Sequence, residues 1–164
     1  MDKTFDFYAY LSDIAAKNRF AQARGFHPCT CSGINYLEEP LQSYRTKANF
    51  ICTSDVTDGA TYQRSGGWFK KRSVMVFILM RYRVGDDADR RAKMDDCREL
   101  LRQIQSRLIY DNQRLATEDL YLNIDAFRDS ELGGVFLHGC TGLYFMLSVD
   151  EPTHLEFNPE EWED

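Results

Sequence analysis

The stretch SVMVFILM, residues 73–80, contains one hydroxyl and no charge. RYRVGDD follows it, turning basic at Arg81 and Arg83, breaking at Gly85 and becoming acidic. The run is less than half of the roughly 18 apolar residues that a membrane-crossing helix requires. A helix of any kind is disfavoured. Gly66 and Gly67 precede the run, Gly85 follows it, and Val74, Val76, Phe77 and Ile78 suit a pleated surface. Apolar residues without alternation imply that both faces are covered. The run is therefore read as a long central strand, its extension turning Arg81 and Arg83 outward and Tyr82 and Val84 inward.

Such a strand needs elements to cover it. Met94, Cys97, Leu101, Ile104 and Leu108 repeat at three and four residues with Leu100 beside them, which predicts a helix over residues 88–110. Asp86 or Asp87 caps it. Asp86, Asp87 and Asp89 suit its positive end, and Arg102 and Arg107 the other. The stripe lasts about two heptads, too short for a coiled coil, so it packs on the sheet. Phe7, Leu11 and Ile14 predict a first helix over residues 4–18, capped by Thr4, and Gly25 ends the segment after it.

Residues 26–44 carry Pro28, Gly33 and Pro40 and are read as a long irregular connection with at most one short helical turn. Residues 48–56 form a strand, Asp58-Gly59 a turn, and residues 60–63 begin a returning strand. Ser65-Gly66-Gly67 makes another break. Leu120, Leu122, Ile124 and Ala126 alternate with polar or exposed neighbours as one strand. Gly133-Gly134 and Gly139 bracket a loop or hairpin, and Leu143, Phe145, Leu147 and Val149 mark a further strand. Asn158-Pro159 starts a short helix in an acidic tail. Strands in pairs rather than each after a helix give an α+β fold. The sheet is antiparallel or mixed, of about four to five strands, with the N-terminal helix and the long amphipathic helix on one face. One domain is expected over residues 1–164: a helical segment (1–25), the connection (26–47), a sheet-plus-helix core (48–150) and the tail (151–164).

The 164 residues are 43% hydrophobic and 28% charged, with a formal net charge of −6. That balance opposes a nucleic-acid backbone binder, which carries a basic face. Met1-Asp2-Lys3-Thr4-Phe5-Asp6 has no apolar core of a signal peptide, so the five cysteines are expected reduced and cytoplasmic. His27-Pro28-Cys29-Thr30-Cys31 is the most metal-like cluster, with His138 and Cys140 as distant partners. One residue between the cysteines is a poor match to zinc spacing, so structural thiols are expected and no metal. No family-type flanks support a Cys–His nucleophile. Asp86-Asp87 and Asp95-Asp96 read as helix-start and surface charges rather than a hydrolytic pair. No phosphate-binding, dinucleotide or nucleophile-elbow motif occurs, so neither an enzyme nor a cofactor is expected.

Arg64, Lys70, Lys71 and Arg72 surround Trp68-Phe69. Basic residues among aromatics can bind single-stranded nucleic acid. The more economical partner is the protein's own acidic tail, with Glu160, Glu161, Glu163 and Asp164 around Phe157 and Trp162, within or between subunits. Arg64, Trp68, Phe69, Lys70, Lys71, Arg72, Phe157 and Trp162 are therefore the candidate subunit interface.

The segment KKRSVMVFILMRYRVGDDADRRAKMDDCRELLRQIQSRLIYD, followed by LYLNIDAFRDSE and CTGLYFMLSVDE, resembles tail-terminator and tail-completion proteins of long-tailed bacteriophages and prophages. The resemblance lies in element order and size over residues 48–150. It implies a structural virion protein without catalytic residues, made in the bacterial host cytoplasm, that assembles into a homo-oligomeric ring, commonly hexameric. Its partners would be the tail tube and the head-side connector, with no membrane and no specific nucleic-acid binding. An acidic lumen would let DNA pass. The alternative is a cytoplasmic ligand-binding or regulatory α+β module whose aromatics line a pocket.

Overall fold

The computed structural model describes residues 4–136 and 139–163, with the backbone alone at 134–136. The readings placed on Met1-Asp2-Lys3, His138 and Asp164 fall outside the described residues. In chain order the elements are α1 (Phe7–Lys17), α2 (Arg19–Ala23), β1 (Phe26–Cys31), α3 (Glu38–Ser43), β2 (Asn49–Ser54), β3 (Asp58–Arg64), β4 (Gly67–Arg81), α4 (Asp87–Ala116), β5 (Tyr121–Leu122), β6 (Asp129–Phe136) and β7 (Cys140–Pro152). Short 3₁₀ turns lie at Ile34–Tyr36 and Pro159–Glu161.

The run at residues 73–80 is the middle of the sheet. β4 pairs with β7 from Phe69 opposite Pro152 to Arg81 opposite Cys140. The strand order is β1-β2-β4-β7-β5, with β3 also beside β4 and β6 also beside β7. Among the described residues, only β1 and β2 run parallel, and every other pair is antiparallel. The fold is thus α+β with a mixed sheet, and seven strands stand where about four to five were expected.

The pleat sorts the central residues onto two faces. Val74, Val76, Ile78 and Met80 join Leu143, Phe145, Leu147 and Val149 in one cluster with α1 and α4 residues such as Leu11, Ile14, Cys97, Leu101, Ile104 and Leu108. The other face gathers Phe77 and Leu79 with Phe50, Cys52, Cys29, Cys31 and Cys140 beneath Leu37 and Leu41 of the α3 region. Both faces of the lower half of β4 are covered, which is why its sequence does not alternate.

Four expectations are corrected. Residues 26–44 are not an irregular connection: β1 forms beside β2, and Pro28 is tolerated because β1 is an edge strand. Asp58-Gly59 is no turn, and β3 does not return along β2. Both strands run antiparallel to β4, against its two halves. The strand ends at Arg81, so Val84 is 75% exposed rather than inward. Of residues 120–127, only Tyr121–Leu122 pair as strand, because Ile124 and Phe127 both turn onto the helix-side core.

Helix limits shift as well. Asp6 rather than Thr4 caps α1, its carboxylate accepting from Ala9 N–H at 2.9 Å. Asp86 caps α4 by accepting from Asp89 N–H at 2.9 Å. α4 runs on to Ala116, about 1.7 turns beyond Tyr110, because its stripe continues through buried Asp111 and Leu115. Asp111 accepts from the Tyr10 hydroxyl at 2.9 Å and from Arg107 Nε at 2.7 Å, so the charge on the buried stripe is paired within α4 and hydrogen-bonded across to α1.

Candidate functional site

The arm residues Arg64 to Arg72 and the start of the tail lie at one end of the sheet. Ser65 and Gly66, with φ of 51° and 82°, form a two-residue turn joining β3 to the start of β4. Both residues lie left-handed, the geometry that matches the twist of a tight hairpin. The resulting arm displays Arg64, Trp68, Lys70 and Lys71. Trp68 is 43% exposed. Lys70 Nζ donates to Thr61 Oγ1 at 3.3 Å, and Lys71 stands opposite Asp150.

Phe69 is half-buried in an aromatic row across the sheet. Its ring lies 6.0 Å from that of Tyr62 on β3 and 6.2 Å from that of Tyr121 on β5. The Arg64 guanidinium caps the row, 5.8 Å from the Tyr121 ring centre. Burial and the neighbouring Asp150 push the Tyr62 phenol above its ordinary range.

Arg72 departs from the exposed basic string. Its Nε donates to Glu151 Oε1 at 2.7 Å, and its Nη2 donates to the Phe5 carbonyl at 2.6 Å. The guanidinium also lies over the Phe7 ring at 5.0 Å. Arg72 therefore ties the chain's first helix to the sheet and is not a free surface cation. The sequence reading missed its partner Glu151. Carrying the inward alternation of Leu143, Phe145, Leu147 and Val149 one step further points Glu151 into the same face, and that was the available signal.

The tail begins at this end too. Thr153 N–H donates to the Trp68 carbonyl at 2.9 Å, extending the β4–β7 ladder by one bond. Asn158 caps the Pro159–Glu161 turn by accepting from Glu160 N–H at 3.1 Å. That turn folds the tail so that Phe157 and Trp162 stack, 6.2 Å apart. They are 75% and 66% exposed. Among the described residues, no hydrogen bond or ion pair joins the tail's Glu156, Glu160, Glu161 or Glu163 to the arm's cations. The basic arm and the start of the acidic tail are neighbours at one end, and their described charges are not paired with one another.

Beside them lies an open cleft of about 840 Å³, lined by Phe5, Lys70, Arg72, Glu118, Asp119 and Leu155 among others. Its lining mixes both charge signs and includes the Arg72–Glu151 pair.

The thiols lie elsewhere. Cys29, Cys31 and Cys52 converge on the opposite sheet face, and all five cysteines are buried and free. Hydrogen bonding to Cys29 and Cys31, with burial, pushes the Cys52 thiol far up, while the Cys52 contact lowers Cys31. Burial pushes Cys97 up to about 12. Among the described residues, no three His, Cys, Asp or Glu side chains are arranged to hold a metal ion. His27 packs its ring 4.3 Å from that of Tyr44. No described helix is long and apolar enough to cross a membrane. In comparisons with known proteins, no family model matches the chain and no curated sequence matches it.

Proposed function

We propose that the protein is a structural subunit of a phage or prophage tail. In this reading it caps or completes the tail tube and joins it to the head-side connector by assembling into a ring. One observation carries the assembly step. A basic arm and an acidic, aromatic tail leave from the same end of the sheet, and among the described residues no hydrogen bond or ion pair joins their opposite charges. Exposed ion pairs contribute only about 0–1 kcal/mol each, so Trp68, Phe157 and Trp162 would supply most of the adhesion between subunits, with Phe69 held in its own aromatic row. A head-to-tail contact of this kind closes into a ring when the rotation between subunits fits. The subunit would act through its surfaces rather than by catalysis, in the virion and, during assembly, in the bacterial host cytoplasm.

The phage assignment itself rests on the resemblance of residues 48–150 to tail-terminator proteins. Light scattering on a sizing column and negative-stain images, over a range of protein and salt concentrations, test it together with binding to a tail-tube protein from the same source. Rings, or rings formed on the tube, are expected. A chain that stays monomeric at high concentration and ignores the tube would overturn the proposal.

The cleft beside Arg72 favours a second reading, a ligand-binding or regulatory module. A monomer whose melting temperature rises with a small ligand, and falls back in a variant that fills the cleft at Leu155, would favour it over the ring.

A further inference from the structure

We infer that the tail of one copy adds itself as an extra strand to the free edge of β3 in the next copy, so that the sheet runs on between subunits. The inference rests on the ring reading and specifies its contact.

The backbone of β3 is the first support. Among the described residues, β3 pairs with β4 alone, from Asp58 opposite Ser73 to Arg64 opposite Gly67. A two-residue hairpin closes on a hydrogen-bonded pair, here Arg64 and Gly67, and bonded pairs then alternate. Asp58, Ala60, Tyr62 and Arg64 therefore bond to β4. Gly59, Thr61 and Gln63 turn their N–H and C=O groups outward along an exposed edge. An unpaired edge of this length is a template for another strand.

The tail supplies a matching pattern. Thr153-His154-Leu155-Glu156-Phe157-Asn158 has no helix, and Asn158 is extended. Leu155 and Phe157 flank Glu156 with the period of a strand, and both apolar side chains are exposed. On β3, Ala60 and Tyr62 flank Thr61. Ala60 and Tyr62 share a face with Phe69, while Thr61 lies on the other face under the Lys70 ammonium. Setting Glu156 beside Thr61 puts Leu155 and Phe157 beside Ala60 and Tyr62, and puts the carboxylate beside Lys70. Apolar meets apolar and acid meets base in one register, whichever way the tail runs.

Geometry makes the donor and acceptor different copies. The tail leaves on the β7 side of β4, at the Trp68 carbonyl, whereas the free edge of β3 lies on the far side of the arm. Donor and acceptor thus sit on opposite sides of one arm. That arrangement passes a strand from copy to copy in a single direction.

The test uses the full chain. In Thr61→Cys/Glu156→Cys, the five native thiols stay buried and a short bismaleimide reaches the two new ones. A ladder of covalent oligomers is expected. Amide exchange over residues 58–64 should slow about tenfold or more in the assembled state. Thr61→Pro deletes an outward N–H while leaving the β4 ladder intact, so it should keep the wild-type melting temperature and weaken assembly about tenfold or more. Assembly with no ladder and unchanged exchange over residues 58–64 would overturn this contact and leave the ring standing. A cross-link confined to single chains would also overturn it. A wild-type chain that never assembles would overturn both.

Discussion

Arg72 and Glu151 hold the backbone of Phe5 between them: the guanidinium donates to its carbonyl at 2.6 Å, and the carboxylate accepts from its N–H at 2.9 Å. The two side chains are only 15% and 10% exposed. Removing one partner strands a buried charge and one backbone group of Phe5. Glu151→Gln is expected to cost about 3 kcal/mol and to speed exchange of the Phe5 amide. Replacing both, as Arg72→Met with Glu151→Leu, should recover part of that loss in a denaturant titration. Equal stability of Glu151→Gln and wild type would show that the latch contributes nothing.

The Tyr10–Asp111–Arg107 brace gives stability a pH dependence at both ends. Burial alone would raise the Asp111 carboxyl, but hydrogen bonds from Arg107 and Tyr10 outweigh it and hold it below its ordinary 3.8. A depressed carboxyl contributes its stability above that ordinary value and loses it as pH falls through the folded value. Burial first, and Asp111 second, push the Tyr10 phenol above its ordinary 10.0. Its contribution is present below about pH 10 and is lost as pH rises beyond. Denaturant midpoints should therefore fall below pH 4 and above pH 10. Tyr10→Phe should flatten the alkaline limb. Asp111→Asn should flatten the acid limb and cost about 1–3 kcal/mol at neutral pH.

Gly142 is the position where the sheet admits no side chain. Its φ is 153°, and a Cβ there would fall on the carbonyl oxygen of Ile78 in the neighbouring central strand. Gly142→Ala should cost about 3 kcal/mol or more, a melting shift on the order of 10 °C for a chain of this size. Gly133→Ala is the control, since a Cβ there meets nothing within 4 Å. Equal melting of the two variants would refute the close approach.

The cysteines should react only when the fold opens. All five thiols are buried; hydrogen bonding and burial raise the Cys52 thiol, burial raises Cys97 and Cys140, and the Cys52 contact lowers Cys31. A thiol-specific chromophore should find almost no fast-reacting group in native protein and all five in denaturant, with Cys31 the first to react under mild destabilisation. Rapid native labelling of Cys97 or Cys140 would contradict the packing.

Local pattern made part of this structure readable. The unbroken apolar run at residues 73–80 was enough to place a central strand, because only a doubly covered strand dispenses with alternation. The stripe through Met94, Cys97, Leu101, Ile104 and Leu108 was enough to place α4 on the sheet. Asn158-Pro159 was enough to mark the 3₁₀ turn of the tail. What stayed hidden depended on partners distant in sequence. β1 has Pro28 and Thr30 where a strand pattern wants apolar residues, and it exists because β2 offers it a parallel ladder. Past Tyr110, α4 carries the buried carboxylate of Asp111, whose Oδ2 accepts from Tyr10, a hundred residues earlier. Arg72 looked like one more cation of an exposed string until the fold set Glu151 and Phe5 around it. Composition and period report which faces need covering. The choice of what covers them, and which charges are neutralised there, is made by contacts between remote residues, whose energies no local pattern records.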